Sequence, residues 1–312
     1  MKFPLLSTMK KVPGGLMLVP MFVAAFINSY CPQILDFLPV VKNAFTSKGT
    51  MTIIGIMLFI MGVQLRTEHI RIISKRCGVL MLAKIFMTLV FGTVILHFCG
   101  RNGVWGISAL AWIGAVSSCN PGLHVALMEN YGDEVDKLAF GPLNIFAVPI
   151  IPICLLGFSD GYGLDYEALI SIFSPIVLGY ILGCLDEDIR TFTKDGNTLL
   201  LPFMGFCLGG GINIPLAMKS SLSALVLTVS YLLLNFITLY CVDRYLLKQR
   251  GHSAAAMCSV AGLSLTLPTI MALKNPLYEP MVRSAEAQLG LAVLLSSVAV
   301  PFLVNYVVKH SK

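Results

Sequence analysis

AVSSCNPGLHVALMEN, residues 115–130, decides how this chain is read. Pro121 removes a backbone donor and disfavours helical geometry at Asn120 before it. Gly122 adds conformational freedom at the same point. The apolar segment holding this motif runs over 104–131, about 28 residues, whereas a straight membrane span needs only ~20. Two half-helices broken at Asn120–Gly122 are therefore expected. A later stretch, Ser264-Leu265-Thr266-Leu267-Pro268-Thr269, again sets polar residues around a proline. Paired breaks in corresponding segments point to the binding site of a transporter, and free N–H groups at a half-helix N-terminus suit an anion such as a carboxylate. The competing reading is a proline kink buried by its neighbours.

The rest of the chain supplies the setting. Of 312 residues, 56% are apolar and only 12% are charged. A soluble domain carries about 25% charged residues, so a soluble enzyme and a disordered chain are both excluded. Apolar runs give ten segments, at 13–33, 50–65, 77–98, 104–131, 138–158, 166–184, 197–217, 220–245, 253–274 and 286–308. No alternating strand pattern appears, so the expected class is an all-α membrane protein with ten transmembrane helices. Nine cysteines lie in or beside these runs without a C-x-x-C pair and read as small apolar residues. The basic N-terminus lacks a cleavage signature and reads as a retained first anchor.

With the N-terminus inside, fifteen of the 22 basic residues fall in inside segments and six outside, with Lys84 within a helix. This bias puts both termini in the cytoplasm. It also accounts for the net charge of +6 without nucleic acid as a partner. The partners expected are the lipid bilayer and a small molecule; oligomeric state is not legible.

The chain also echoes itself. GTMTIIGIMLFIMGVQL (Gly49–Leu65) aligns with GNTLLLPFMGFCLGGGI (Gly196–Ile212), putting Gly62 on Gly209. Ala115–Asn130 aligns with Val260–Asn275, and AVPI at Ala147 returns as AVPF at Ala299. Two repeats follow, 1–160 and 161–312. Five helices per repeat is an odd number, so the second enters from the opposite side and the repeats are inverted.

Candidate functional residues are the polar ones at membrane depth. Ser117, Ser118, Asn120 and Gly122 surround the first break, and Thr266 and Thr269 the second. His124 shares a helical face with Asn120 and either binds substrate, titrates, or is a hydrogen-bonded core imidazole. Lys84 sits eight residues into the third segment, as a buried cation, a proton-labile amine, or a side chain reaching the interface. Glu129 is a proton carrier or an interface charge near Asp133, Glu134 and Asp136. Gln64 and Asn213 end the repeat-related segments, where Gly209-Gly210-Gly211 reads as hinge or packing. Asn144 and Asn235 read as amides bonding across helices. No nucleotide loop, zinc motif or nucleophile elbow appears, so the protein is read as neither a pump nor an enzyme, with no metal and no cofactor beyond a coupling ion.

MKKVPGGLMLVPMFVAAFIN (9–28), MGVQL (61–65), SSCNPGLHVALMENYGDEVD (117–136) and GGGINIPLAM (209–218) together resemble the 2-keto-3-deoxygluconate permease family, over the whole chain. That resemblance implies a bacterial inner-membrane importer of this sugar acid by proton symport. The family is distantly similar to bile-acid sodium symporters, which implies helices four and nine broken and crossing in a core domain. Helices one, two, six and seven would form a moving panel. The ninth segment departs from those symporters, since no acid accompanies Ser264, Thr266 and Thr269. Lys84, His124 and Glu129 are then the candidate proton carriers. The alternatives are sodium coupling, an uncoupled facilitator of a small anion, and a lipid-modifying enzyme.

Overall fold

A chain this apolar must satisfy its backbone within each segment, and helices do so. The computed structural model describes residues 4–11, 15–36, 43–46, 49–65, 67–139, 142, 143, 146, 150–161, 166–219 and 221–311, and among these residues there are helices and no β-sheet. The expected contribution of Asn144 lies outside the described residues.

The helices run in order: α1 (Leu5–Lys11), α2 (Gly15–Tyr30), α3 (Pro32–Asp36), α4 (Thr50–Gln64), α5 (Thr67–Cys99), α6 (Ala109–Val116), α7 (Pro121–Tyr131), α8 (Glu134–Leu138) and α9 (Ile150–Asp160). Then come α10 (Tyr166–Leu185), α11 (Glu187–Thr193), α12 (Gly196–Gly209), α13 (Ile214–Lys219), α14 (Ser221–Cys241), α15 (His252–Ala256), α16 (Leu267–Lys274) and α17 (Val282–His310). A π-helical turn, Val242–Leu246, extends α14, and a 3-10 turn, Gly262–Thr266, precedes α16.

Three of these stretches are long and apolar enough to cross a membrane: Lys75–Cys99, Leu222–Leu246 and Pro276–His310. The exterior fits lipid better than water. Phe86, Phe98, Leu222 and Phe302 stand 70–78% exposed, while Lys84, His124, Asn235 and Asp243 are fully buried. A soluble protein does not turn itself inside out in this way.

Some expected segments shift. The fourth starts at Ala109 rather than 104, because Gly100, Gly103 and Gly106 all adopt positive φ in a loop before the Ser108 cap. The seventh does not reach 217, since α12 ends at Gly209 and its chain turns through Gly210 and Gly211 into α13.

Two packing units emerge. In one, α2 lies along α12, α4 lies along α10, and α12 also meets α4. Glycine permits the close approach. A Cβ on Gly62 would sit 2.2 Å from the Ile176 carbonyl of α10, and one on Gly209 would sit 2.0 Å from the Met21 carbonyl of α2. In the other unit, α17 packs against α14, α15 and α6, and α5 closes over α6. The connections are tied to the first unit by side chains. Arg190 Nη1 donates to the Leu65 carbonyl at 2.9 Å, and Asn28 Nδ2 donates to the Ile212 carbonyl at 3.1 Å.

Gly209→Val and Gly62→Val must force backbone apart, at a cost of roughly 3 kcal/mol each. Both variants should lose most monodisperse protein in detergent. Gly78→Ala, where a Cβ meets nothing within 4 Å, should purify and melt like the parent.

Candidate functional site

The first break forms as local chemistry requires. α6 ends at Val116, Ser117 caps it, and α7 restarts with Pro121 in its first turn, where a missing N–H costs nothing. Asn120 caps α7 through Oδ1, which accepts from Leu123 N–H at 3.1 Å.

The second interruption is at Met257–Ala261, between α15 and the 3-10 turn, and starts about two helical turns ahead of the expected Ser264–Thr269. Pro268 does not make it, because that proline sits in the first turn of α16 and costs no hydrogen bond. Here the chain leaves helix because tertiary partners are available. Asn120 N–H donates to the Ser259 carbonyl at 3.1 Å, and Ala261 N–H donates to Ser118 Oγ at 2.6 Å. Ser264 Oγ donates to Ser118 Oγ at 2.7 Å, and Val260 N–H donates to Ser296 Oγ of α17 at 3.0 Å. The two interruptions therefore lie against each other. Ser117, Ser118, Asn120, Ser259 and Ser264 are all buried.

The other packing unit faces this crossing through glycine. A Cβ on Gly122 would come within 2.9 Å of Met17 Sδ in α2, and one on Gly262 within 2.6 Å of Leu208 in α12. The Nδ2 of Asn120 is buried without a hydrogen-bond partner. Such a donor is costly to leave unmet, so it is a ready contact for a ligand oxygen.

Lys84 comes to the crossing from α5. It is fully buried, and Nζ donates to Asn235 Oδ1 of α14 at 2.5 Å. Nζ also stands 5.9 Å from the centre of the Phe146 ring, within electrostatic reach of Cys119 and Cys258, one thiol in each interruption. An ammonium has three donors, so this group is underpartnered for its depth. Asn235, read as a neutral helix-bridging amide, is its acceptor.

His124 Nε2 meets Ser253 Oγ of α15 at 3.1 Å, so α7 and α15 are joined next to the crossing, and its Nδ1 has no partner. The remaining candidates lie elsewhere. Glu129 is exposed at the far end of α7, 3.7 Å from Lys137, in the position of an interface charge. Thr269 is exposed and donates to Glu286 at 2.6 Å. Gln64 fastens α4 to α11, donating to the Arg190 carbonyl and to Thr193 Oγ1, both at 2.8 Å. Asn213 is exposed in the turn after α12, and the side chain of Thr266 is outside the description. Of the residues read around Pro268, Ser264 reaches the crossing through Ser118 and Thr269 does not, because the two interruptions are out of register.

A second polar cluster has no signature in the local sequence, because its members come from α5, α8, the π turn and α15. Arg76 of α5 reaches Asp133 at 2.5 Å and Asp136 at 3.2 Å. Asp136 Oδ2 also meets His252 Nε2 at 3.0 Å. Asp243, in the π turn, is fully buried beside them. Its neighbour Arg244 makes it look like an ordinary interface charge; the usable signal was a carboxylate inside an apolar segment. No group of three or more potential metal ligands occurs among the described residues.

Burial raises the Asp136 carboxyl, but His252, Arg76 and the Asp133 N–H outweigh that and hold it below the ordinary carboxylate range. A lowered carboxyl adds stability that is present above the unfolded value and lost as the pH falls through the folded one. At pH 7 Asp136→Asn should cost roughly 3 kcal/mol by removing the buried carboxylate that Arg76 and His252 share. Thermal unfolding in detergent should show that deficit at neutral pH and a smaller one in acid.

The model of the 2-keto-3-deoxygluconate permease family matches residues 6–312. 2-Keto-3-deoxygluconate permease 1 of Salmonella typhimurium is 30% identical over 303 residues, covering 97% of this chain and 95% of the relative. The 2-keto-3-deoxygluconate permease of Bacillus subtilis is 28% identical over 311 residues, covering 98% and 94%. That of an Enterobacter species is 29% identical over 302 residues, covering 95% and 91%. With an apolar exterior and near end-to-end matches, the chain belongs to the 2-keto-3-deoxygluconate permease family, a family of multi-pass membrane permeases and not of enzymes.

Proposed function

We propose that this protein imports 2-keto-3-deoxygluconate across a bacterial inner membrane by proton symport, with the substrate bound at the crossing of the two interruptions. The observation that carries the proposal is a buried Lys84 ammonium within electrostatic reach of Cys119 and Cys258, together with the unpartnered Asn120 Nδ2, where the two interruptions meet. A sugar-acid carboxylate answers both deficits, and the first N–H groups of α7 add to the attraction. Ser117, Ser118 and His124 line the same crossing and would hydrogen-bond hydroxyl or keto oxygens.

The architecture proposed with it has ten transmembrane helices in two inverted repeats, near 1–160 and 161–312, and cytoplasmic termini. Three correspondences support it. Gly62 and Gly209, paired by the internal echo, meet the backbones of α10 and α2 in the same way. Leu65 and Ile212, paired by the same echo, each lend a carbonyl to a side chain of the opposite half. The α2–α12 and α4–α10 contacts are the exchange of partners that a two-fold in the membrane plane would generate. The α2, α4, α10 and α12 unit is then the panel and the remainder the core. Met17 and Leu208 closing on Gly122 and Gly262 would be the contacts that part when the site opens.

A monoanion carried with one proton moves no net charge. Accumulation should therefore follow a pH gradient at up to about tenfold per pH unit, and ignore membrane potential. Proteoliposomes with labelled 2-keto-3-deoxygluconate test this under proton, sodium or no gradient. Equilibration alone makes the protein a facilitator, and accumulation with sodium alone makes it a sodium symporter. Lys84→Met should lower kcat/KM by about 10- to 100-fold, since a hydrogen bond to a charged group is worth about 1.5–3 kcal/mol. Asn120→Ala should raise KM while leaving the protein folded.

A further inference from the structure

Asp243 is the carboxylate that neither the break nor the substrate site uses. It lies in a π-helical turn at the end of α14, fully buried, and neither oxygen has a hydrogen-bond partner. The Ala254 N–H of α15 faces the carboxyl without completing a hydrogen bond. π-Turns inside helices are unfavourable and gather at functional sites.

Its surroundings define a charge count. The charged and titratable groups in electrostatic reach are Arg76 from α5, Asp136 from α8 and His252 from α15, with Arg244 adjoining on its own turn. Two cations, Arg76 and Arg244, match two carboxylates, Asp133 and Asp136. Asp243 and His252 must then carry one proton between them for the cluster to be neutral. Either Asp243 is protonated beside a neutral imidazole, or an ionised Asp243 faces an imidazolium. Both arrangements avoid a bare buried charge, which an interior does not tolerate cheaply.

We propose that Asp243 and His252 form a one-proton site, exchanging that proton with water past Asp133 and transmitting its loss through α15 to the substrate crossing. Asp133 is 57% exposed and paired to Arg76, whereas Asp136 and His252 are 2% and 6% exposed, so the cluster runs from water to the interior. The proton leaves a carboxylic acid or imidazolium for water, and the cluster is left with one negative charge. His252 begins α15, whose next residue, Ser253, holds His124, and whose far end opens into Met257–Ala261. A charge change at Asp243 therefore acts on the segment that holds Asn120 and Ser118. The inference rests on the proton-symport reading and names a carrier other than Lys84, His124 and Glu129.

The test uses full-length protein in proteoliposomes, with gradient-driven uptake and substrate counterflow measured across internal pH. A gradient of about one pH unit gives up to about tenfold accumulation in the parent. Asp243→Asn should lose that accumulation, still exchange substrate, and show a flattened pH profile. Asp243→Glu should restore accumulation with a displaced pH optimum, which a merely structural role would not produce. If Asp243→Asn does not reconstitute, His252→Gln and Asp243→Glu carry the same pH comparison. Parental accumulation and an unshifted pH profile in these variants overturn the inference while symport stands. A parent that never accumulates overturns symport instead; a counterflow pH profile altered in the variants then still supports the proton site, and an unaltered one overturns it.

Discussion

Backbone N–H and C=O groups released by a broken helix cannot be left bare in an apolar interior. Everything at the centre of this protein follows from that constraint. The interruptions at Ser117–Asn120 and Met257–Ala261 expose such groups, and they find partners in each other, in α17 and, for Cys119 N–H, in the Phe146 carbonyl. Ser118 Oγ takes two hydrogen bonds, from Ala261 N–H and Ser264 Oγ. Asn120 caps its own helix with Oδ1 and gives its backbone N–H to Ser259. Neither interruption is self-sufficient, so the two must meet. Asn120 Nδ2, His124 Nδ1 and most of the Lys84 ammonium remain unmet after they do, and the proposed substrate site rests on that polar capacity.

Charge is handled by the same economy. Lys84 has one acceptor, Arg76 has two carboxylates, and Asp243 has neither acceptor nor donor of its own. These groups sit on α5, on α8 and its cap, and in the π turn that extends α14. The unit built from α2, α4, α10 and α12 has another character. Its glycines bring helix backbones into contact, and its polar groups, Gln64, Arg190 and Asn28, fasten the connections at helix ends. Where the two units touch at the crossing, contact is through Met17, Leu201 and Leu208 against glycine. Apolar side chains against glycine form no directional bonds to break, which suits the parting and closing that the proposed import cycle requires.

Particular residues show how far the amino-acid order could be read. Pro121 and Asn120 announced the first break because proline and an N-cap act within one helical turn. Lys84 announced itself by depth in an apolar run. Thr266 and Thr269 were chosen because Pro268 mimics Pro121, yet Pro268 starts a helix and Thr269 reaches Glu286. Gln64 reads in the sequence as the polar end of a repeat-related segment, and in the structure it bonds Arg190, 126 residues away. Glu129 and Asp243 look alike in sequence, each a carboxylate at the end of an apolar segment, but one is exposed and the other fully buried.

By itself the sequence determined an all-helical, lipid-facing chain, the first interruption and the buried cation, since each depends on composition or on rules acting over a few residues. Only the tertiary structure decided where the second interruption falls, which serine satisfies it, and which carboxylate lies without a partner. The reason is range. Ser118 and Ala261 are 143 residues apart and Asp136 and His252 are 116 apart, so no local preference connects them. Hydrogen bonds across such separations exist only once the helices have packed, and they can draw a segment out of helix where its own residues give no signal to stop.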